Sequence, residues 1–260
     1  MYGSYIGKNK VLVRPKYGGK LILPADDLSL TPLLLTEGEY QPALTTILSQ
    51  YVGRGQIVVD VGAHVGYYAV LMGQRVGTEG TCICYEPHPT LYPLLAENLI
   101  LNGIHTESNL YPLAAYSEQK RVNFLQVERL TMDSTLSSSK EPLCQEDENG
   151  STIEVQGVAI CEHLHHLPHI DFLKISVGRK GIDTLLGLGD LMKDKIRFLI
   201  FEFERNLWEK EEISELRELL FIYRRNYGKR LLEVESKGDL VEVEEQRVIE
   251  TCHYAQLVLC

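Results

Sequence analysis

The chain has 260 residues, 44% of them hydrophobic and 24% charged, the balance of a globular protein with a complete core. A formal net charge of -10 supplies no cationic field for generic nucleic-acid binding. No stretch approaches the roughly 18–20 consecutive apolar residues of a membrane span, and the first eight residues lack the apolar run of a secretory leader.

Lys10–Val13 and Lys20–Leu23 are short apolar runs flanking Tyr17-Gly18-Gly19, and they read as a β-hairpin. Pro24–Thr36 reads as irregular. Within Tyr40–Tyr51, apolar residues recur at Leu44, Ile47, Leu48 and Tyr51, a helical spacing closed by Gly53-Arg54-Gly55. Residues 1–55 are therefore expected to be an N-terminal extension of hairpin and helix. The main domain is expected over 56–260. There, strands are predicted near 56–61, 81–86, 109–115, 171–177 and 197–203, with helices near 66–77, 89–102, 181–193 and 209–226. Near-continuous apolar strands such as Asp171–Ile175 indicate burial on both faces, the habit of parallel sheets. The alternation predicts an α/β doubly wound sheet. Two further strands, 121–128 and 152–160, flank a Ser-, Glu- and Asp-rich connection over 129–151, which is read as a mobile segment or a lid. Leu231–Glu235 and Ala255–Leu259 are expected to pair as a terminal antiparallel hairpin without an intervening helix.

Six scattered cysteines (Cys82, Cys84, Cys144, Cys161, Cys252 and Cys260) form no CxxC pair. They read as reduced core filler in a cytoplasmic protein. Arg224, Arg225, Lys229 and Arg230 read as solvated charge near a helix C-terminus.

The most informative segment is Asp60-Val-Gly62-Ala-His64-Val-Gly66, between the apolar run Ile57–Val59 and a helical stretch, Tyr67–Val76. Glu86 ends the next apolar run, followed by Pro87. Glycines let backbone N–H groups approach a ligand, the helix N-terminus favours anionic groups, and an acid at the second strand end can accept both ribose hydroxyls. Dinucleotide sites want G-x-G-x-x-G, whereas this D-x-G-x-x-x-G form suits S-adenosylmethionine better. Asp60 can orient the loop or meet the ligand's ammonium.

Together with Tyr85-Glu86-Pro87-His88-Pro89, Asn98…Asn102-Gly103, Leu113–Ser117, Ile170–Ile175, Phe198–Glu202 and Glu39–Pro42, this segment resembles the FkbM-type S-adenosylmethionine-dependent methyltransferases. The resemblance implies a Rossmann-like, seven-stranded, mostly parallel sheet with an antiparallel C-terminal strand. It implies methyl transfer to a hydroxyl oxygen of a sugar or natural-product small molecule, while the net charge and the lack of a long apolar run argue against nucleic-acid and membrane partners. By position it implies that Gly62, His64 and Gly66 line the methionine end and that Glu86, followed by Pro87, binds the ribose. Ala115 would lie beside the adenine, and Glu39 would approach the methionine portion from the N-terminal side.

The pattern departs after the fourth strand. Family members read Lys-Ile-Asp-Val-Glu-Gly with another acid soon after, and this chain reads Lys174-Ile175-Ser176-Val177-Gly178-Arg179-Lys180-Gly181, with Ser176, Gly178 and Gly181 at the acid positions. Lys174, Ser176 and Glu202 are the candidate catalytic positions. Serine is no equal of a carboxylate as base. The base could instead be Glu202, Glu204, His88 or one of His163, His165, His166 and His169. Alternatively the acceptor needs no strong base, or the protein binds the cofactor with lost or altered catalysis. An NAD-type oxidoreductase is disfavoured by the missing third glycine. The histidine tract has no H-E-x-x-H spacing and is read as surface or capping histidine, so no metal is expected. Tyr40, Tyr67 and Tyr68 are expected near the methionine site as walls or sulfonium contacts. Trp208 either closes the substrate mouth or packs a helix start.

Overall fold

A computed structural model describes residues 2–105, 109–127, 129, 131–136 and 150–260. Among them, the chain forms three sheets.

The first is antiparallel, with β1 (Gly3–Gly7), β2 (Lys10–Val13) and β3 (Leu21–Pro24) in that order. The expected hairpin is its β2–β3 pair. Next, α1 (Leu30–Thr36) occupies part of the stretch expected to be irregular. Asp27 makes it possible by accepting from the N–H groups of Leu30 and Thr31 at 2.9 and 2.7 Å, while Pro32 lies in the first turn, where a missing N–H costs nothing. The predicted helix α2 follows (Pro42–Tyr51), with Pro42 at its start.

The main sheet carries β4 (Ile57–Val61), β5 (Thr81–Tyr85), β6 (Leu110–Tyr111), β11 (Ile170–Ile175), β12 (Ile196–Glu204), β13 (Leu231–Val234), β14 (Leu240–Glu242) and β15 (Tyr254–Leu259). Their spatial order is β14-β13-β15-β12-β11-β4-β5-β6. β6, β5, β4, β11 and β12 run parallel, and β15 is antiparallel to both its neighbours. This is the expected doubly wound sheet with its antiparallel C-terminal strand. It has eight strands among the described residues rather than seven, because β14 adds to the β13 edge. β13 and β15 do pair, but β14 and the helix α9 (Glu245–Thr251) lie between them, contrary to the expected uninterrupted hairpin.

Helices α3 (Tyr67–Val76), α4 (Leu91–Leu101) and α8 (Lys210–Arg225) match the sequence reading. The predicted helix 181–193 is instead two short ones, α6 (Gly181–Leu186) and α7 (Leu191–Asp194). Gly187 breaks it: a Cβ there would sit 2.0 Å from the Tyr116 carbonyl oxygen, so the chain turns where it meets that backbone.

The predicted strand 109–115 also divides. Pro112 has no N–H for the ladder, and the chain leaves the main sheet after β6. It resumes as β7 (Ala114–Tyr116) in a third sheet with β8 (Lys120–Val127), β9 (Thr135–Leu136) and β10 (Gly150–Ala159), ordered β7-β10-β8-β9. Within the connection read as a lid, residues 137–149 lie outside the described residues. A short helix, α5 (Ile160–Leu164), leads from β10 into β11.

Adjacent residues of the main strands feed opposite cores. Val58, Phe172, Ile200 and Val258 join a cluster with the N-terminal sheet, α2, α3 and α4. Val59, Leu173, Leu199 and Leu257 join one under α6, α8 and α9. Burial on both faces explains the apolar runs visible in the sequence. Asn98 on α4 and Asn102 just past its end close the free edge of β3. Asn98 exchanges bonds with Ile22 N and O at 2.6 and 2.9 Å, and Asn102 with Lys20 N and O at 2.9 and 2.7 Å. Asn98 Nδ2 also donates to Val65 O, joining this edge to the loop after β4.

Candidate active site

At the carboxyl ends of the parallel strands, where strand order reverses between β4 and β11, lies a cavity of about 700 Å³. Such switch points are where open α/β sheets bind ligands. The loop leaving β4 forms one wall. Gly62 has φ +72°, and a Cβ on it would fall 2.0 Å from the Ser176 carbonyl oxygen, so glycine is required. The N–H groups of Gly62 and Ala63 both donate to Tyr85 O at 3.0 Å. His64 follows with φ +55°, rare for a side-chain-bearing residue, and faces the cavity. Gly66 does not line the cavity. A Cβ on it would meet Leu95 Cδ1 at 2.8 Å, so it sets the approach of α3 to α4.

Glu86 reaches the same wall from the end of β5, at 5% exposure. Its two oxygens accept separately from His88 N at 2.9 Å and His64 N at 2.7 Å. Burial pushes its pKa up to about 7, against the opposing pull of those two N–H groups. Each oxygen keeps a lone pair for a ligand hydroxyl. Pro87, Leu113 and Ala115 add an apolar surface beside it, of the kind an adenine ring needs.

Asp60 is wholly buried and does not line the cavity. Its Oδ1 accepts from Lys174 Nζ at 2.9 Å, and that ammonium also sits 5.1 Å from the Tyr68 ring centre. Asp60 is therefore placed to orient Lys174 and the loop, one of the two roles the sequence offered it. Lys174 lines the cavity, at 4% side-chain exposure.

Ser176 and Glu202 come together. Ser176 Oγ donates to Glu202 Oε2 at 2.5 Å, and Gln41 Nε2 donates to Oε1 at 2.5 Å. Tyr68 OH donates to Gln41 Oε1 at 2.8 Å, and Tyr254 OH approaches Glu202 Oε1 at 3.4 Å. All of these residues line the cavity. The N-terminal segment does reach the site, through Tyr40 and Gln41 rather than the expected Glu39. Gln41 has φ +41°, which turns the chain inward, while Glu39 pairs with Lys16 at 2.5 Å outside the cavity.

The third sheet forms the facing wall with Asn123, Phe124, Leu125 and Thr135. Thr135 Oγ1 donates to Val177 O at 2.9 Å and accepts from Arg179 N at 3.2 Å. It thereby clamps the segment where the family's acids are replaced. Gly178 has φ +66°, with Thr135 Oγ1 3.0 Å from where a Cβ would stand, and a Cβ on Gly181 would meet Trp208 at 2.7 Å. Both glycines therefore sit where a larger side chain would press on a neighbour.

Of the other candidate bases, Glu204 lines the cavity, and His88, His163, His165, His166 and His169 do not. His163 is bound to Tyr85 OH at 2.6 Å, His165 to Glu162 O at 2.6 Å, and His169 approaches Asp171 at 3.2 Å. Among the described residues no cluster could hold a metal ion. Tyr40, Tyr67 and Tyr68 line the cavity, as expected. Trp208 lies outside it, 6% exposed and 5.4 Å from the Phe203 ring, so it packs the helix start. Arg224 and Arg230 pair with Glu244 and Glu242. The sequence reading missed Gln41, Tyr254, Thr131 and Asp27. Only the polar Gln41-Pro42 step before a helix gave any signal.

The sheet order, the glycine turn and the acid at the end of β5 define a Rossmann-like nucleotide-cofactor site of the methyltransferase class. Residues 60–231 match the Methyltransferase FkbM domain, and the chain belongs to that family. Its cofactor is S-adenosylmethionine. The residues present fit that group: Glu86 has open lone pairs at the cavity wall, and His64, which also lines it, keeps an unpartnered ring nitrogen. No curated protein matches the chain. Among solved structures, it is similar to Aeropyrum pernix fibrillarin with natively bound S-adenosyl-L-methionine, at 11% identity over 100% of this chain and 98% of that one, with a TM-score of 0.44. It is similar also to M. jannaschii TYW2 in complex with AdoMet (11%, 98% and 86%, 0.43) and to precorrin-6y C5,15-methyltransferase from Geobacter metallireducens GS-15 (9%, 83% and 86%, 0.41). Among the described residues no helix is long and apolar enough to cross a membrane.

Proposed function

We propose that the chain is a cytoplasmic S-adenosylmethionine-dependent O-methyltransferase whose acceptor is a hydroxyl of a sugar or natural-product small molecule. The observation that carries this reading is the Glu202 carboxylate at the cavity wall, hydrogen-bonded by Ser176 and Gln41. An alcohol must lose its proton to be methylated, and Ser176 alone cannot take it. Glu202 takes it in this reading, and Ser176 and Gln41 aim the carboxylate. S-adenosylmethionine supplies an activated methyl group on a sulfonium, so the chain's main task is positioning. Glu86 accepts the ribose hydroxyls, with Pro87 and Ala115 at the adenine. Gly62 and His64 take the methionine end. Gly66, Asp60 and Lys174 hold the walls. The tyrosine faces of Tyr40 and Tyr68 favour a cationic sulfur. The net charge of -10 speaks for a small acceptor over a nucleic acid, and the free cysteines fit a reducing compartment.

Calorimetry with S-adenosylhomocysteine, followed by S-adenosylmethionine turnover on a panel of polyols and phenols, tests this. Glu202→Gln should lower kcat by about 10²–10⁴-fold with little change in cofactor affinity. Unchanged kcat removes Glu202 as the base, and no heat of binding removes the whole reading. Ser176, Gly178 and Gly181, in place of the family's acids, support a second reading: a cofactor-binding homologue with lost or altered catalysis. Turnover by the unmodified chain excludes it.

A further inference from the structure

The cofactor loop is tied to two distant parts of the chain through one side chain. His64 Nε2 lies 2.9 Å from Thr131 Oγ1, in the short 3-10 turn Thr131–Asp133 between β8 and β9. Thr131 Oγ1 lies 2.8 Å from Asp27 Oδ1, in the N-terminal segment before α1. Asp27 is 2% exposed and also accepts from Ser29 Oγ at 2.6 Å and from the N–H groups of Leu30 and Thr31. Burial pushes the Asp27 pKa up, but these hydrogen bonds together outweigh it and hold the group below the ordinary carboxylate range. An ionised carboxylate only accepts, so the Thr131 hydroxyl proton points to Asp27. The Thr131 oxygen is then an acceptor, and His64 Nε2 must carry a hydrogen. Burial, first among its causes, lowers the His64 pKa to about 4, so the ring is neutral at physiological pH. A neutral ring protonated at Nε2 has a bare lone pair at Nδ1.

That Nδ1 is buried and has no partner. Among the described residues, it is the one buried, unpartnered side-chain atom that belongs to a residue lining the large cavity. The amino-acid tail of S-adenosylmethionine brings an ammonium group, whose burial requires acceptors. Asp60 lies outside the cavity with Oδ1 on Lys174, while Glu202 already accepts from Ser176 and Gln41, and Gln41 Oε1 from Tyr68; His64 Nδ1 is the acceptor among them that has no donor. We propose that Asp27 and Thr131 are positioning residues that fix the Nε2–H tautomer of His64, so that Nδ1 accepts a hydrogen bond from the ammonium of the cofactor's tail. This rests on the reading of the cavity as the cofactor site. It also gives the unusual φ of His64 a purpose, because strained backbone persists where surrounding structure holds it.

The test is a long-range proton–nitrogen NMR spectrum of the full ¹⁵N-labelled chain at neutral pH, with the His64 signals assigned by their loss in His64→Gln. The ligand-free protein should show Nδ1 unprotonated and Nε2 protonated. Saturating S-adenosylhomocysteine should move Nδ1 toward the hydrogen-bonded position, and methylthioadenosine, which lacks the tail, should not. Thr131→Val should mix the tautomers and weaken S-adenosylhomocysteine binding by about fivefold or more, while Thr131→Ser restores both. A protonated Nδ1, an Nδ1 unmoved while calorimetry reports saturation, or one moved equally by both ligands overturns the proposal. Absence of S-adenosylhomocysteine binding to the wild type instead overturns the cofactor-site reading beneath it.

Discussion

Glu86 sets a proton against the cofactor. Its pKa is raised from 4.5 to about 7 by burial, despite the hydrogen bonds it accepts from His88 N and His64 N. An acid raised in the folded state binds its proton more tightly folded than unfolded. Its contribution to stability is therefore fully present below about pH 4.5 and is lost as pH rises through about 7. A rise of this size corresponds to about 3 kcal/mol, or a fall in Tm of about 6–12 °C for a chain of this length. Ribose hydroxyls donate to a carboxylate, so cofactor binding should drive this proton off. Thermal unfolding of ligand-free wild type and Glu86→Gln between pH 5 and 8 measures the first effect. The glutamine cannot accept from both N–H groups and is offset at every pH, but the difference in pH slope isolates the ionisation. Calorimetry with S-adenosylhomocysteine at pH 6.5, in buffers of different ionisation enthalpy, should show roughly 0.7 of a proton released. Parallel stability curves, together with binding heats that do not depend on buffer, would refute the reasoning.

Lys174→Met leaves Asp60 buried and uncompensated, and should cost about 3–5 kcal/mol in denaturant unfolding; a loss under about 1 kcal/mol would mean that water reaches Asp60. Asn98→Ala strips partners from Ile22 N, Ile22 O and Val65 O, and should cost about 2–4 kcal/mol and speed amide exchange at Ile22; unchanged exchange contradicts the clip. Ser176→Ala removes the hydroxyl that donates to Glu202 Oε2, and should lower kcat by about tenfold with little change in cofactor affinity; unchanged kcat argues that Ser176 does not aim Glu202.

What the sequence disclosed is what is local. The loop Asp60–Gly66 and the acid Glu86 form a strand, turn, helix and strand within thirty residues, and each residue type follows from its neighbours. Asn102-Gly103 likewise marked the end of α4, with Gly103 at φ +71°. The role of Asp60 was ambiguous because its partner, Lys174, lies 114 positions away. Glu39 and Gln41 are two residues apart, and only the backbone twist at Gln41 decides which enters the cavity. The third sheet was obscured because Ala114–Tyr116 looked like the continuation of one strand, whereas its partner is Gly157–Ala159. Gly178 and Gly181 stand at positions where acids are expected, and only the fold shows what lies against them, Thr135 and Trp208.

Among the described residues, the third sheet buries only Ala114, Val122 and Phe124 in a cluster of its own. So thin an interior leaves the sheet leaning on the segment it clamps, through Thr135 on Val177 and Arg179. Over evolutionary time such a wall can be recut to admit a different guest while the glycine bend and its neighbouring acid stay untouched. Because Thr131, between β8 and β9, also touches His64, a recut wall would still be linked to the cofactor loop.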